Sequence, residues 1–192
     1  MKFCRLILLF APLAVTNAQT FVDTVYRVEL TATVSPMINL FRNASIPGTN
    51  DRSSVGGGVF LRGMWHPGRL LSLGFITGYM IVDRDRIPPD NPLYTARLTA
   101  IPMQFAISMQ KNDVEVGWGV GPYMMLTSIE GGNSAPVHGY RFELGLTVLG
   151  SYSFSLTDYI KIAPEMRVLY LRYRGILSLM PSCSFRIDPL KY

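Results

Sequence analysis

The sequence predicts an all-β chain: an eight-stranded antiparallel up-and-down β-barrel that crosses a membrane. Three observations point there. Only 16% of the 192 residues are charged and 48% are hydrophobic, against roughly 25% charged in an ordinary soluble chain. Yet beyond the N-terminal segment no run approaches the ~20 unbroken apolar residues of a spanning helix. Instead, apolar and small or polar residues alternate with period two in eight long runs, and the connections between those runs alternate between short and long.

The chain opens on "MKFCRLILLFAPLAVTNAQ". Lys2 and Arg5 precede an apolar core from Leu6 to Val15, and small Ala18 follows. That order is the pattern of a cleaved secretory signal peptide, residues 1–18, leaving 19–192 as the barrel domain. Cleavage takes two of the 18 basic residues, so 16 face 13 acidic ones, a net +3. Cys4 leaves with the leader, and Cys183 alone permits no intramolecular disulfide. The basic residues form no block, which argues against nucleic acid as a partner.

The extended runs follow in order. Residues 24–40 set Tyr26, Val28 and Leu30 against Arg27 and Glu29. Residues 54–65 set Val59, Leu61 and Trp65 against Gly56, Gly58 and Arg62. In 69–82, Leu71, Leu73, Phe75, Tyr79 and Ile81 alternate with Ser72, Gly74 and Gly78. In 94–109, Ile101, Met103, Phe105 and Ile107 do so around Ala106. The run 113–127, "DVEVGWGVGPYMMLT", interleaves Val114, Val116, Trp118 and Val120 with Glu115, Gly117 and Gly119. In 139–154, Phe142, Leu144, Leu146 and Val148 oppose Arg141, Glu143, Gly145 and Thr147. In 158–171, Ile160, Ile162, Met166, Val168 and Tyr170 oppose Lys161, Glu165 and Arg167. The last run, 174–187, sets Leu177, Leu179, Phe185 and Ile187 against Arg186. Each run reaches the 9–11 residues that a tilted strand needs to cross a bilayer.

"HPG", "QKND" and "SLTD" are short connections, and 41–53, 84–92 and 127–138 are long. "RYRG" at 172–175 is a short one on the long side. Tight turns at one end and longer loops at the other are the pattern of an outer-membrane barrel, with both termini on the periplasmic side.

The two faces admit two barrels. A soluble carrier of the lipocalin kind puts its apolar face inside. A membrane barrel turns it outward. The second face decides the matter: it is dense in Gly, Ala and Ser, with spaced charges of both signs, and small residues suit a lumen just wide enough for side chains. Arg27, Glu29, Arg62, Glu115, Arg141, Glu143, Lys161, Glu165, Arg167 and Arg186 are therefore placed in the lumen as a charge network. Phe75, Val116, Trp118, Leu144, Leu146, Ile162 and Val168 are placed toward lipid.

On these features the chain, over roughly 20–192, resembles the small outer-membrane barrels of OmpA and OmpX type and the generic outer-membrane β-barrel domain of Bacteroidota. The leader, "IPMQFAISMQKNDVEVGWGVGPYMM" and "FELGLTVLGSYSF" carry the resemblance. It implies a bacterial outer-membrane location. It implies as partners outer-membrane lipid, lipopolysaccharide and, during biogenesis, the barrel assembly machinery. Leu190 and Tyr192 partly match the terminal aromatic signal that such machinery reads, although Asp188 and Pro189 break the alternation before them.

The sequence predicts no cofactor. Asp83, Asp85 and Asp90 share a loop, but Arg84 and Arg86 offset them and no calcium-loop spacing follows, so no metal site is assigned. His66 reads as a turn residue of "HPG". Ser134, His138 and Glu130 are the one Ser/His/carboxylate grouping, and no nucleophile elbow supports it. The function that results is a non-enzymatic structural or surface-binding barrel with a plugged polar lumen. Its extracellular partners would meet loops 41–53, 83–93 and 127–138. A narrow channel, a lipid-modifying enzyme and a secreted carrier are the alternatives. Fractionated cells should hold the chain in the outer membrane, shortened by residues 1–18; mature protein free in the periplasm or medium would exclude that placement.

Overall fold

The computed structural model describes residues 26–41, 51–52, 55–68, 70–86, 95–130, 137–172 and 175–191. Residues 1–18, read as the leader, lie outside them. Eight long strands build the fold: β1 Arg27–Phe41, β2 Val55–His66, β3 Leu71–Arg86, β4 Thr95–Lys111, β5 Val114–Glu130, β6 Val137–Tyr152, β7 Ile160–Leu171 and β8 Ile176–Lys191. Two-residue pieces at Asp51–Arg52 and Phe154–Ser155 extend β3 and β7 sideways.

Each long strand pairs antiparallel with its neighbours in sequence, and β8 returns to β1, from Arg27↔Lys191 to Phe41↔Leu177. The sheet is therefore a closed barrel, and no helix occurs among the described residues. Paired inward positions can be followed once around, from Glu29 through Met64, Gly74, Ala106, Gly119, Thr147, Leu169 and Ser178. The path returns to β1 at Asn39, ten residues beyond its start. A stagger larger than the strand number tilts the strands strongly, and a ring of only eight strands leaves an interior just wide enough for side chains. The β4–β5 turn is tight, with Asn112 at φ 56°, a conformation that asparagine tolerates.

The narrow interior explains the glycines of the inward face. A Cβ on Gly145 would overlap the Tyr123 ring, and one on Gly74 would overlap the Met64 sulfur. Other inward glycines, such as Gly78 and Gly121, face the neighbouring backbone instead, so a Cβ there would meet Val59 O or Met103 O.

The strands run longer than their alternation predicts. Residues 83–86, 127–130 and 137–138, assigned to loops from the sequence, belong to β3, β5 and β6. Hairpin pairing continues past the point where alternation stops, as Arg86↔Thr95 and Ile129↔Val137 show. Conversely, Asp188 does not interrupt β8. It points inward beyond Arg186, and Pro189 points out.

The rim is uneven. β6 pairs with β5 from Val137 onward but with β7 only from Gly145, opposite Leu171. Residues 137–144 thus extend beyond the end of β7.

Gly145→Val should lower stability by about 1–3 kcal/mol, the usual cost of overpacking. Gly139→Ala, where a Cβ meets nothing, should stay within about 0.5 kcal/mol. Urea unfolding of the refolded protein measures both.

Candidate functional site

The lumen is the candidate site, and it is divided along its length. In the half nearer the short turns, strand parity turns charged residues of β1, β2, β5, β7 and β8 toward one another. Glu115 is the centre. Both its oxygens accept from Arg62, at 2.9 and 3.0 Å, and Arg186 approaches the same carboxylate at 2.8 Å. Glu29 lies 3.4 Å from Arg62, 3.9 Å from Arg186 and 3.7 Å from Arg27. Arg186 also donates to Ser151 and Ser153. One level higher, Arg167 pairs with Glu165, which accepts from Ser184, and its guanidinium lies 4.4 Å over the Phe60 ring. Such charges are tolerable in a lumen only because they are paired and hydrogen-bonded.

At the short-turn mouth, Asp188 lies 3.7 Å from both Arg27 and Lys161. Arg27 donates to Gln110. Glu29, Arg62, Glu115, Glu165, Arg167 and Arg186 are buried, while Arg27 and Lys161 are half-buried. Glu143 is buried near the opposite end. Arg141 departs from its sequence assignment: it is exposed, because the wall of β7 that would enclose it ends at Leu171.

Phe75, Val116, Trp118, Leu144 and Leu146 lie exposed on the outer face, and Ile162 and Val168 are half-buried there. Exposed Tyr26, Trp65, Tyr152 and Tyr159 stand at strand ends on the short-turn side, where interfacial aromatic residues gather in membrane barrels.

His66 is not a turn residue. It closes β2 with its ring buried in the lumen, 2.6 Å from the Ser72 hydroxyl through Nδ1 and 3.9 Å from Glu29 through Nε2. Serine, histidine and carboxylate meet here, but Ser72 is 0% exposed. His138 lies exposed on β6, and Ser134 falls outside the described residues. No group of three potential metal ligands occurs among the described residues.

The other half of the lumen is largely apolar, although the carboxylates of Asp83 and Glu143 are buried toward the same end; its reading as a polar filling did not anticipate this. Met37, Met80, Met125, Met180, Leu98, Leu169, Leu171 and Ile176 are all buried there. Between the halves, Tyr123, Thr147 and Gln104 form a short hydrogen-bonded chain. The signal was present: alternation gives way to continuous apolar stretches at "YMIV" (79–82), "YMML" (123–126) and "VLYL" (168–171).

The chain matches no protein-family model and no curated protein. Solved structures do match. A major outer-membrane protein of Thermus thermophilus aligns at TM-score 0.54 and 11% identity, over 87% of this chain and 99% of that one. Ail, the attachment invasion locus protein of Yersinia pestis, aligns at 0.52 and 9%, over 86% and 100%. The fold is that of the small outer-membrane barrels. OprG of Pseudomonas aeruginosa gives 0.51 and 8%, over 86% and 97%. At such identities the likeness concerns the fold.

Glu115→Ala should cost about 3–5 kcal/mol, because two buried arginines lose a shared partner. The shift of the urea midpoint relative to wild type measures it.

Proposed function

We propose that the protein spans a bacterial outer membrane as a plugged, non-enzymatic barrel that meets its partners at its uneven rim. The observation that carries this reading is the network around Glu115. It links β1, β2, β5 and β8 across the lumen, with β7 joined through Lys161 and Asp188, and in this reading it stands in the path of a solute. The outward apolar face, from Leu30 through Leu61 and Phe75 to Trp118 and Leu146, supports the membrane placement. So does the likeness in fold to outer-membrane proteins. Lipopolysaccharide and other outer-membrane lipids surround the wall, and the assembly machinery acts on the strands before closure.

Partners from outside the cell approach the long-loop end. Tyr140, Arg141 and Phe142 are exposed on the projecting part of β6, and the segments 41–53, 83–93 and 127–138 connect strands at the same end. An exposed aromatic–arginine group is the composition that protein-binding surfaces favour.

Planar-bilayer recording tests the plug. Wild type should show no large, steady conductance, and Glu115→Gln should increase brief openings. A wide, stable wild-type pore would replace the plugged barrel with a channel.

A further inference from the structure

The hydrogen-bond ladder that closes the barrel has a gap. Between β1 and β8 the pairs run in register through Thr33↔Ser184 and Val34↔Cys183, then resume at Ile38↔Leu179. The three pairs between them are missing, and at their centre Pro36 stands opposite Pro181. Each proline lacks the N–H that would have bonded across the seam. What holds the strands together there is a side-chain patch. Ser182 donates to the Ser35 hydroxyl at 2.8 Å, and Ser35 donates to the Pro36 carbonyl at 3.0 Å.

The other edges of these two strands are intact. β1 keeps twelve consecutive pairs with β2, from Arg27↔His66 to Ile38↔Val55. β8 keeps twelve with β7, from Ile176↔Leu171 to Ile187↔Ile160. The seam can therefore part locally while each strand stays anchored. Single-residue register shifts fall at Val28/Leu30 and Asn39/Phe41 of this seam and at Ile81/Asp83 between β3 and β4. Two other gaps in the pairing occur, at Gly78 and Tyr79 opposite Pro102 and Ile101, and at Met103 and Gln104 opposite Pro122 and Gly121. Neither opposes two prolines.

Behind the seam lies the apolar half of the lumen. Met37 and Met180 flank the gap from inside, both fully buried, with Met80, Leu169 and Leu171 beyond. Methionine is unbranched and adapts its shape to what it contacts. In front of the seam, on the outer face, is a groove of about 420 Å³. Leu30, Ala32, Leu61, Phe75, Phe185 and Ile187 line it, and it begins at the Ala32↔Phe185 pair, three pairs toward the short turns from the gap. Toward that same end, inside, the charge network blocks further passage.

We propose that the apolar half of the lumen is a binding site for a single-chain lipid of the fatty-acid class, which enters sideways from the bilayer between Pro36 and Pro181. The chain displaces Met37 and Met180 and stops at the network, so it is held rather than passed through. The proposal rests on the membrane placement given above.

The test uses the protein refolded in phosphatidylcholine vesicles, with brominated stearic acid as a contact quencher of tryptophan. Trp65 and Trp118 face outward and are changed to phenylalanine. The lumen reporter is Tyr123→Trp, with Phe60→Trp as an independent second. Both reporters should be quenched saturably. Quenching should fall when Val34→Cys is joined to its partner Cys183 by a short thiol cross-linker. It should fall likewise in Pro36→Val/Pro181→Val, which restores both N–H donors. No saturable quenching of either reporter, or quenching indifferent to both closures, would overturn the proposal. A variant keeping Trp118 alone reports on the placement. Its quenching in both the open and the cross-linked protein supports the bilayer route, and no quenching would overturn the placement and the entry together.

Discussion

Closure of the sheet is the constraint on which the rest depends. A strand edge left open in hydrocarbon exposes backbone N–H and C=O groups that nothing there can satisfy, so a membrane sheet must return on itself. The β1–β8 pairing does this here. Once the ring is closed with eight strands and a ten-residue stagger, the width of the lumen is set. The inward residue types follow from that width. Large side chains enter only where a neighbour is small, as Tyr123 does beside Gly145, and charges enter only where an opposite charge is within reach.

The two halves of the lumen solve the filling problem differently. Toward the short turns, Glu115 and Glu29 share Arg62 and Arg186, so no member has a private partner. Changes within such a group are not additive. Toward the long loops, methionine and leucine fill most of the space by dispersion contacts, with only Asp83 and Glu143 as buried charges at that end among the described residues. The first half specifies one arrangement through directional bonds. The second tolerates several, because flexible thioethers pack in more than one way.

Much of the fold was legible because period-two alternation is a direct record of which side of a strand faces water, lipid or lumen. All eight strands could be placed from it. Their ends could not. Alternation fades at Asp83 and Thr127 although the hairpins continue, since backbone pairing beyond the apolar band needs no apolar face. Arg141 was misplaced for a related reason: whether an inward residue is enclosed depends on how far the next strand reaches, and β7 stops at Leu171. Asp188 was hidden by Pro189, which looks like a strand breaker but sits where its missing donor does no harm. The partnerships of Glu115 depend on stagger around the whole ring, which no local pattern encodes. The apolar half was visible only as a loss of contrast between faces, as in "VLYL".

The charge network also bears on the order of events in assembly. Glu29 and Arg27 belong to the first strand, Arg186 and Asp188 to the last. Nearly the full length of the domain separates them in sequence, so these contacts carry a high loop-closure entropy and form late. Until then the charges keep their water. The last strand to dock must dehydrate them and supply their counter-charges in one step. Barrel closure is thereby coupled to the charge complementarity of the first and last strands, apart from the network's work in the finished barrel.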